Sequence, residues 1–404
     1  MFFSFSPKSS VLLLFFLHGL IFSILLFLKG LKAEDKPSTW LSVFTLLCSL
    51  YIAPFMLGYA GWYSRDVYRD ILFYTPFQQL FLLPPILYFY YKTLLDKSFI
   101  FTRRDYLHFV PATLYLIYSI IVFLTDKVIF NEYYFYDDGK DKDFSIWYQI
   151  AGLLSLTYYL IKSLKTYNEY KTLTYNSISF AESVMFKWAQ RFLIAFLILI
   201  AIRILFFILN PEWDEFGKKF WYYLCFSVLF YYISISGYAN YIFSITAFNG
   251  LKTNSDSSLK SELIEEIKTY NQLPNRDSDK PSEEKVEIPD LNNWKEKVEK
   301  LMLVDQMYKN PELVISDISN KLGTHSKKVS QVINQGFNLN FNDFVNLYRI
   351  KALMQKLEER EHDIQTLLSL AFECGFNSKS TFNRAFKRYT TLSPKEYIQK
   401  HYPK

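Results

Sequence analysis

Two runs near the end of the chain line up side chains that could act together on one chemical target. In "SKKVSQVIN" the exposed face is expected to carry Ser326, Lys327, Lys328, Gln331 and Asn334. In "SKSTFNRAFKRY" it is expected to carry Ser378, Lys379, Ser380, Asn383, Arg384, Lys387 and Arg388. Neither face holds a carboxylate. Lysine and arginine neutralise phosphates, while asparagine, glutamine and arginine bond base edges in a major groove. A merely solvated face would mix the two signs of charge, so the expected partner is double-stranded DNA.

Such side chains read a duplex only when a second helix presents their own. The sequence repeats a pattern that builds this pair, first in "ISDISNKLGTHSKKVSQVIN" (315–334) and again in "LLSLAFECGFNSKSTFNRAFKRY" (367–389). Each copy places a small residue four positions before a glycine, Ser319 before Gly323 and Ala371 before Gly375. The small side chain lets two helices cross closely, and glycine permits a left-handed turn. Three positions past each glycine stand Ser326 and Ser378, which are expected to cap the second helices. Behind the polar faces, Val329, Val332 and Ile333 match Phe382, Ala385 and Phe386 once the second turn is one residue longer. Between the copies, Phe344, Leu347, Ile350, Leu353 and Leu357 recur at helical spacing. About eighteen residues of helix make a rod of roughly 27 Å, which suits two reading helices set about 34 Å apart, one duplex turn.

With "NLYRIKAL", "AFECGFNSKSTFNRAFKRY" and "LSPKEY" in view, the tail resembles the AraC/XylS-type DNA-binding domain over about residues 292–400. The resemblance implies that the first recognition helix does much of the base reading, through Lys327, Lys328 and Gln331. It implies supporting contacts from Asn383, Arg384 and Lys387. Ser319 stands where the family usually has alanine, Thr391 where it has glycine, and Ile398 where it has arginine.

The rest of the chain is of another kind. Half of the 404 residues are hydrophobic and 19% are aromatic, yet the mean hydropathy is only +0.04, an average of unlike parts. Residues 311–404 hold 14 Lys/Arg against 9 Asp/Glu, whereas residues 1–250 hold 21 against 17. Within 1–250 lie seven apolar stretches, at 11–28, 40–59, 71–91, 106–124, 146–164, 192–209 and 220–242. Each is close to the ~20 residues that cross a ~30 Å hydrocarbon core as helix. The first could instead be a signal peptide, but it is longer than the usual ~7–15 apolar residues, and it is expected to be retained. "YTPFQQLFLLPPILYFYYKTLL" and "RDYLHFVPATLYLIY" resemble segments of bacterial regulators that join a multi-helix membrane domain to this kind of tail.

The expected organisation is therefore all-α. A seven-helix transmembrane bundle (1–249) is followed by a cytoplasmic linker (250–290) and a double helix-turn-helix domain (291–404, motifs at about 315–335 and 365–389). With the N-terminus outside, the inner loops carry eleven Lys/Arg and the outer segments eight, in keeping with the positive-inside tendency. DNA in the cytoplasm demands the same orientation across a bacterial inner membrane. The linker is expected to hold a short amphipathic helix at 259–270 and a flexible tether at 274–289.

Polar residues inside the spans are costly and therefore informative. They are His18, Gln78, Gln79, Arg203 and Asn240. Arg203 is the candidate for an anionic ligand, with Gln78 and Gln79 as companions; an internal ion pair or hydrogen-bond anchor is the plainer reading. Pro84 and Pro85 are expected to kink the third span. The spans show no paired carboxylates, His/Asp cluster, phosphate loop or activated nucleophile, and the three cysteines and five histidines are scattered. No enzyme, metal or cofactor is expected. These features together predict a membrane-embedded transcription regulator that answers a small-molecule or protein signal, with homodimer formation in view. The alternative is a membrane transporter or receptor whose basic tail is an accessory module; release of the tail by proteolysis in the tether is a further variant.

Overall fold

The computed structural model describes residues 3–96, 99–209, 218–251 and 290–402, and its regular structure is helical. Among these residues the sole β feature is an isolated bridge between Ile178 and Val314. The chain divides into two units, Met1–Tyr167 with Lys187–Asn275, and Asn168–Phe186 with Arg276–Lys404. The segment 168–186, expected within the membrane half, thus groups with the tail. The expected linker helix and tether lie outside the described residues.

The first unit begins with α1 (Pro7–Ala33), started by Pro7 and by a Ser6/Ser9 capping box. It packs on α2 (Lys36–Tyr59) along a stripe of small residues. A Cβ on Gly19 would fall 1.9 Å from Ser49 Oγ, and Ser23 and Ser42 each donate a hydroxyl to the other's carbonyl at 3.0 and 2.9 Å. Small residues and reciprocal hydroxyl bonds are how helices associate where lipid removes the hydrophobic incentive. The outer face of α1 leaves Leu14, Ile21, Ile24 and Leu31 exposed, a face suited to lipid rather than water.

The third apolar stretch departs from the expectation of a single span. It forms α3 (Asp66–Tyr74) and α4 (Leu83–Leu95), separated by a non-helical run from Thr75. The cause is in the prolines. Pro76 pushes Thr75 out of the helical region, and Pro84 and Pro85 occupy the first turn of α4, where a missing N–H costs nothing. They open a helix and do not kink one. At 13 residues α4 is about 20 Å long, short of a full crossing.

The remaining helices are α5 (Val110–Leu124), α6 (Ile146–Ser177), the short α7 (Ala181–Val184), α8 (Lys187–Leu209) and α9 (Phe220–Leu251). Five helices among the described residues are long and apolar enough to cross a membrane: Pro7–Ala33, Lys36–Tyr59, Arg103–Phe130, Lys187–Leu205 and Phe220–Ala239. The stretch 146–164 lies within α6, which is long enough but less apolar. The apolar helices point to membrane association, with five candidate spans where seven were expected.

In the tail unit, α10 (Leu291–Leu303), α11 (Ile315–Lys321) and α12 (Ser326–Phe337) surround one core. Another forms from α14 (Leu367–Glu373), α15 (Lys379–Thr390) and α16 (Pro394–His401). The long α13 (Phe341–Glu358) joins them. Phe341, Phe344, Val345 and Tyr348 enter the first core, and Ile350, Leu353 and Leu357 the second. The connecting rod is thus a shared wall of both cores.

Candidate nucleic-acid interface

The crossing of α11 and α12 buries Val329, Val332 and Ile333 and turns the polar face outward. Lys327 and Asn334 are exposed, and Gln331 is half-buried. Lys328 lies with its ammonium 3.8 Å from the centroid of the Trp294 ring, a cation–π contact that fixes its stem. The expected cap at Ser326 is corrected: His325 holds the cap position and Ser326 is the first helical residue. Its hydroxyl instead meets Ser319 Oγ at 3.1 Å, tying the two helices at their crossing. The serine in place of the family's alanine therefore has a partner.

In the second motif Ser378 does cap, accepting the Thr381 N–H at 3.2 Å. Gly375 is needed on two counts. Its φ is +93°, and a Cβ would fall 2.3 Å from Tyr308 O. Lys379, Ser380, Asn383 and Lys387 of α15 are exposed. Arg388 bonds Asp343 Oδ2 at 2.5 Å, and Arg384 is engaged by the segment 168–186. There the Arg384 guanidinium pairs with the Glu182 carboxylate and donates to Tyr175 OH at 2.7 Å. Ser183 Oγ stands 3.4 Å from Ser378 Oγ and 3.3 Å from Asn377 Oδ1.

That segment is anchored deeper still. Arg349, fully buried, donates through Nε to Tyr308 O at 2.9 Å and through Nη2 to Asn310 O at 2.7 Å. It also donates through Nη2 to Ser179 Oγ at 3.1 Å. Its acceptors are neutral, and burial pushes its pKa down to about 9, yet a guanidinium keeps its proton at neutral pH. Asn342 donates to Ser179 O at 2.8 Å, and Ser179 N–H donates to Leu313 O at 3.1 Å. None of Tyr175, Ser179 and Glu182 was singled out from sequence. Their contacts span more than a hundred residues, and no local spacing encodes them; Arg349 lay in view within "NLYRIKAL".

In the first unit, Arg203 donates to Tyr51 OH at 3.3 Å and to Gln149 Oε1 at 3.2 Å, and lies 4.3 Å from the Tyr222 ring centroid. No carboxylate pairs with it among the described residues, so the ion-pair reading is not seen there. Gln149 donates to Gln78 Oε1 at 2.7 Å, and Gln78 donates to Tyr223 OH at 3.0 Å. Arg203 and Gln78 are thus joined through a glutamine that sequence reading passed over. Gln79 stays apart, donating to Pro76 O within the break. Beside Arg203 is a cavity of about 360 Å³ with largely apolar walls from α6, α8 and α9 and, among the described residues, no acidic side chain in its lining. His18 meets Ser234 Oγ at 2.7 Å; the side chain of Asn240 is outside the described set.

Next to this network, in the connection before α6, two carboxylates are buried together. Asp143 accepts from Gln78 N–H at 2.9 Å and from Tyr115 OH at 2.5 Å, while Asp141 accepts from Tyr63 OH at 3.0 Å. Burial raises both pKa values above the ordinary carboxylate range, and the Asp143 charge raises that of Asp141 further.

Residues 318–400 match the helix-turn-helix domain family of the AraC type, which supports DNA binding by this part of the chain. The chain is 28% identical over 92 residues to an uncharacterised HTH-type transcriptional regulator of Staphylococcus aureus strain COL. It is equally similar to a regulator of the same description from strain MSSA476. Each match covers 23% of this chain and 12% of the relative. No solved structure matches the chain.

Proposed function

We propose that the protein is a membrane-embedded one-component transcription regulator of a bacterial inner membrane. Its N-terminus is outside and its tail binds duplex DNA in the cytoplasm. The observation that carries this reading is the occurrence, in one chain, of five apolar helices of spanning length and an AraC-type domain. Lys327, Lys328 and Gln331 read bases; Ser326, Asn334, Ser378, Lys379, Ser380, Asn383, Arg384, Lys387 and Arg388 support them from the same two faces. The first unit senses an anionic ligand with an apolar body, received by Arg203 in the cavity that it borders, with Gln78 behind it through Gln149; Gln79, bonded to Pro76 O, is outside that network. A desolvated arginine with no carboxylate partner among the described residues gains most from an anion delivered there. Two tails brought together in a homodimer bind neighbouring sites with raised effective concentration.

Immunoprecipitation of the tagged full-length protein from intact cells, with sequencing of the bound DNA, tests the reading. Discrete sites shared by replicate cultures are expected; recovery of no DNA above background overturns it. For the ligand, laurate is expected to raise the unfolding temperature of the protein in neutral detergent where lauryl alcohol does not. Arg203→Gln is expected to abolish that difference. A transporter reading draws on the interrupted third stretch, and uptake of a labelled anion into proteoliposomes would favour it.

A further inference from the structure

The segment 168–186, made of the last turns of α6 and the connection from it to α8, folds with the tail. Tyr175, Ile178, Ser179, Ala181 and Glu182 are all buried. Ser179 supplies both its hydroxyl and its carbonyl to Arg349, with the carbonyl also held by Asn342. Ile178 bridges Val314 in antiparallel fashion. These bonds hold the segment at the first core, and Glu182 then reaches the face of α15, where it takes Arg384. Ser183 stands over Asn377 and the Ser378 cap.

The consequence for DNA is electrostatic. A helix presents Arg384 to a phosphate or a base only if the guanidinium is free, and here a carboxylate occupies it. Glu182 also adds a second negative charge to that of Asp343, which already holds Arg388 on this face, and an approaching phosphate is repelled there. The first reading helix is not masked in this way: Lys327 and Asn334 remain exposed.

We propose that residues 168–186 act as an intramolecular clamp that competes with duplex DNA for the reading face of α15. Displacing the clamp completes the two-helix grip. This rests on the DNA-binding reading of the tail. The cavity beside Arg203 takes its walls from α6, through Gln149, Ile150 and Leu153, and from α8, through Leu199, Ile202 and Arg203. The clamp is the end of α6 together with the chain that joins it to α8. A ligand that alters their spacing pulls on the clamp through covalent connection, which supplies the two states that coupling between sites requires.

The test uses the full chain in neutral detergent and a random-sequence duplex at low salt. Glu182→Gln is expected to tighten binding on the order of tenfold, the factor carried by about 1.4 kcal/mol of one charge-assisted bond. Ser183→Cys with Asn377→Cys, in a Cys225→Ser background, is expected to cross-link under diamide when DNA is absent and to be protected when DNA is bound. The oxidised form should bind weakly and recover on reduction. Cross-linked protein that binds DNA as well as reduced protein, or a Glu182→Gln variant with equal or weaker affinity, overturns the clamp alone. A chain that binds no duplex in any form removes the functional reading and the clamp with it.

Discussion

At the scale of single residues, the proposed reading separates side chains that neutralise from those that discriminate. Lys379 is exposed at the start of α15, and its proposed role is that of an ammonium meeting a phosphate regardless of sequence. Lys379→Ala is expected to weaken binding to all duplexes alike and to lower the slope of log affinity against log salt by about 1. Gln331 lies on the polar face of α12. Gln331→Ala is expected to relax preference at one base pair by about 1–3 kcal/mol, read from binding to a panel of single-position variants of a selected site. An unchanged salt slope in the first case, or unchanged preference in the second, refutes the respective assignment. Both residues were legible in the sequence because each motif carries its own helical period. Lys328 was legible as a base, but its seat on Trp294 was not.

At the scale of elements, the turn that closes α15 shows a cost that the sequence announced. Thr391 stands where the resemblance calls for glycine, and the structure gives it φ +66° with its N–H donated to Lys387 O. A β-branched residue in the left-handed region is strained by roughly 1–2 kcal/mol. Thr391→Gly is expected to stabilise α15 and α16 by about 1 kcal/mol, after glycine's entropic cost. Native-state hydrogen exchange of the full chain should show that gain in the opening energy of their amides; unchanged or faster exchange overturns it. The third apolar stretch teaches the converse. Its hydropathy reads as a span, but Pro76, Pro84 and Pro85 fix where the backbone stops and starts being helix, and that rule outranks composition.

At the scale of the whole molecule, the first unit carries a proton-sensitive joint. Asp141 and Asp143 are buried together between α5 and α6, with pKa values raised by burial. A carboxyl raised in the folded state keeps its proton there after the unfolded chain has lost it. Stability is therefore expected to fall as pH rises from the ordinary carboxylate value of about 4 toward neutrality. Thermal unfolding in neutral detergent should show this decline, and Asp141→Asn should flatten it. A wild-type profile that rises over the same range contradicts the assignment.

The sequence by itself determined the helical composition, the basic tail with its two helix-turn-helix motifs, and the apolar helices that precede it. Those features are written in local periodicity and in composition, which depend on near neighbours. The tertiary structure alone decided that Gln149 joins Arg203 to Gln78, that two aspartates share a buried site, and that 168–186 folds with the tail to hold Arg349 and Arg384. Hydrogen bonds between groups more than fifty residues apart in the chain leave no period to read. They arise only when folding brings a desolvated donor to the acceptor that satisfies it.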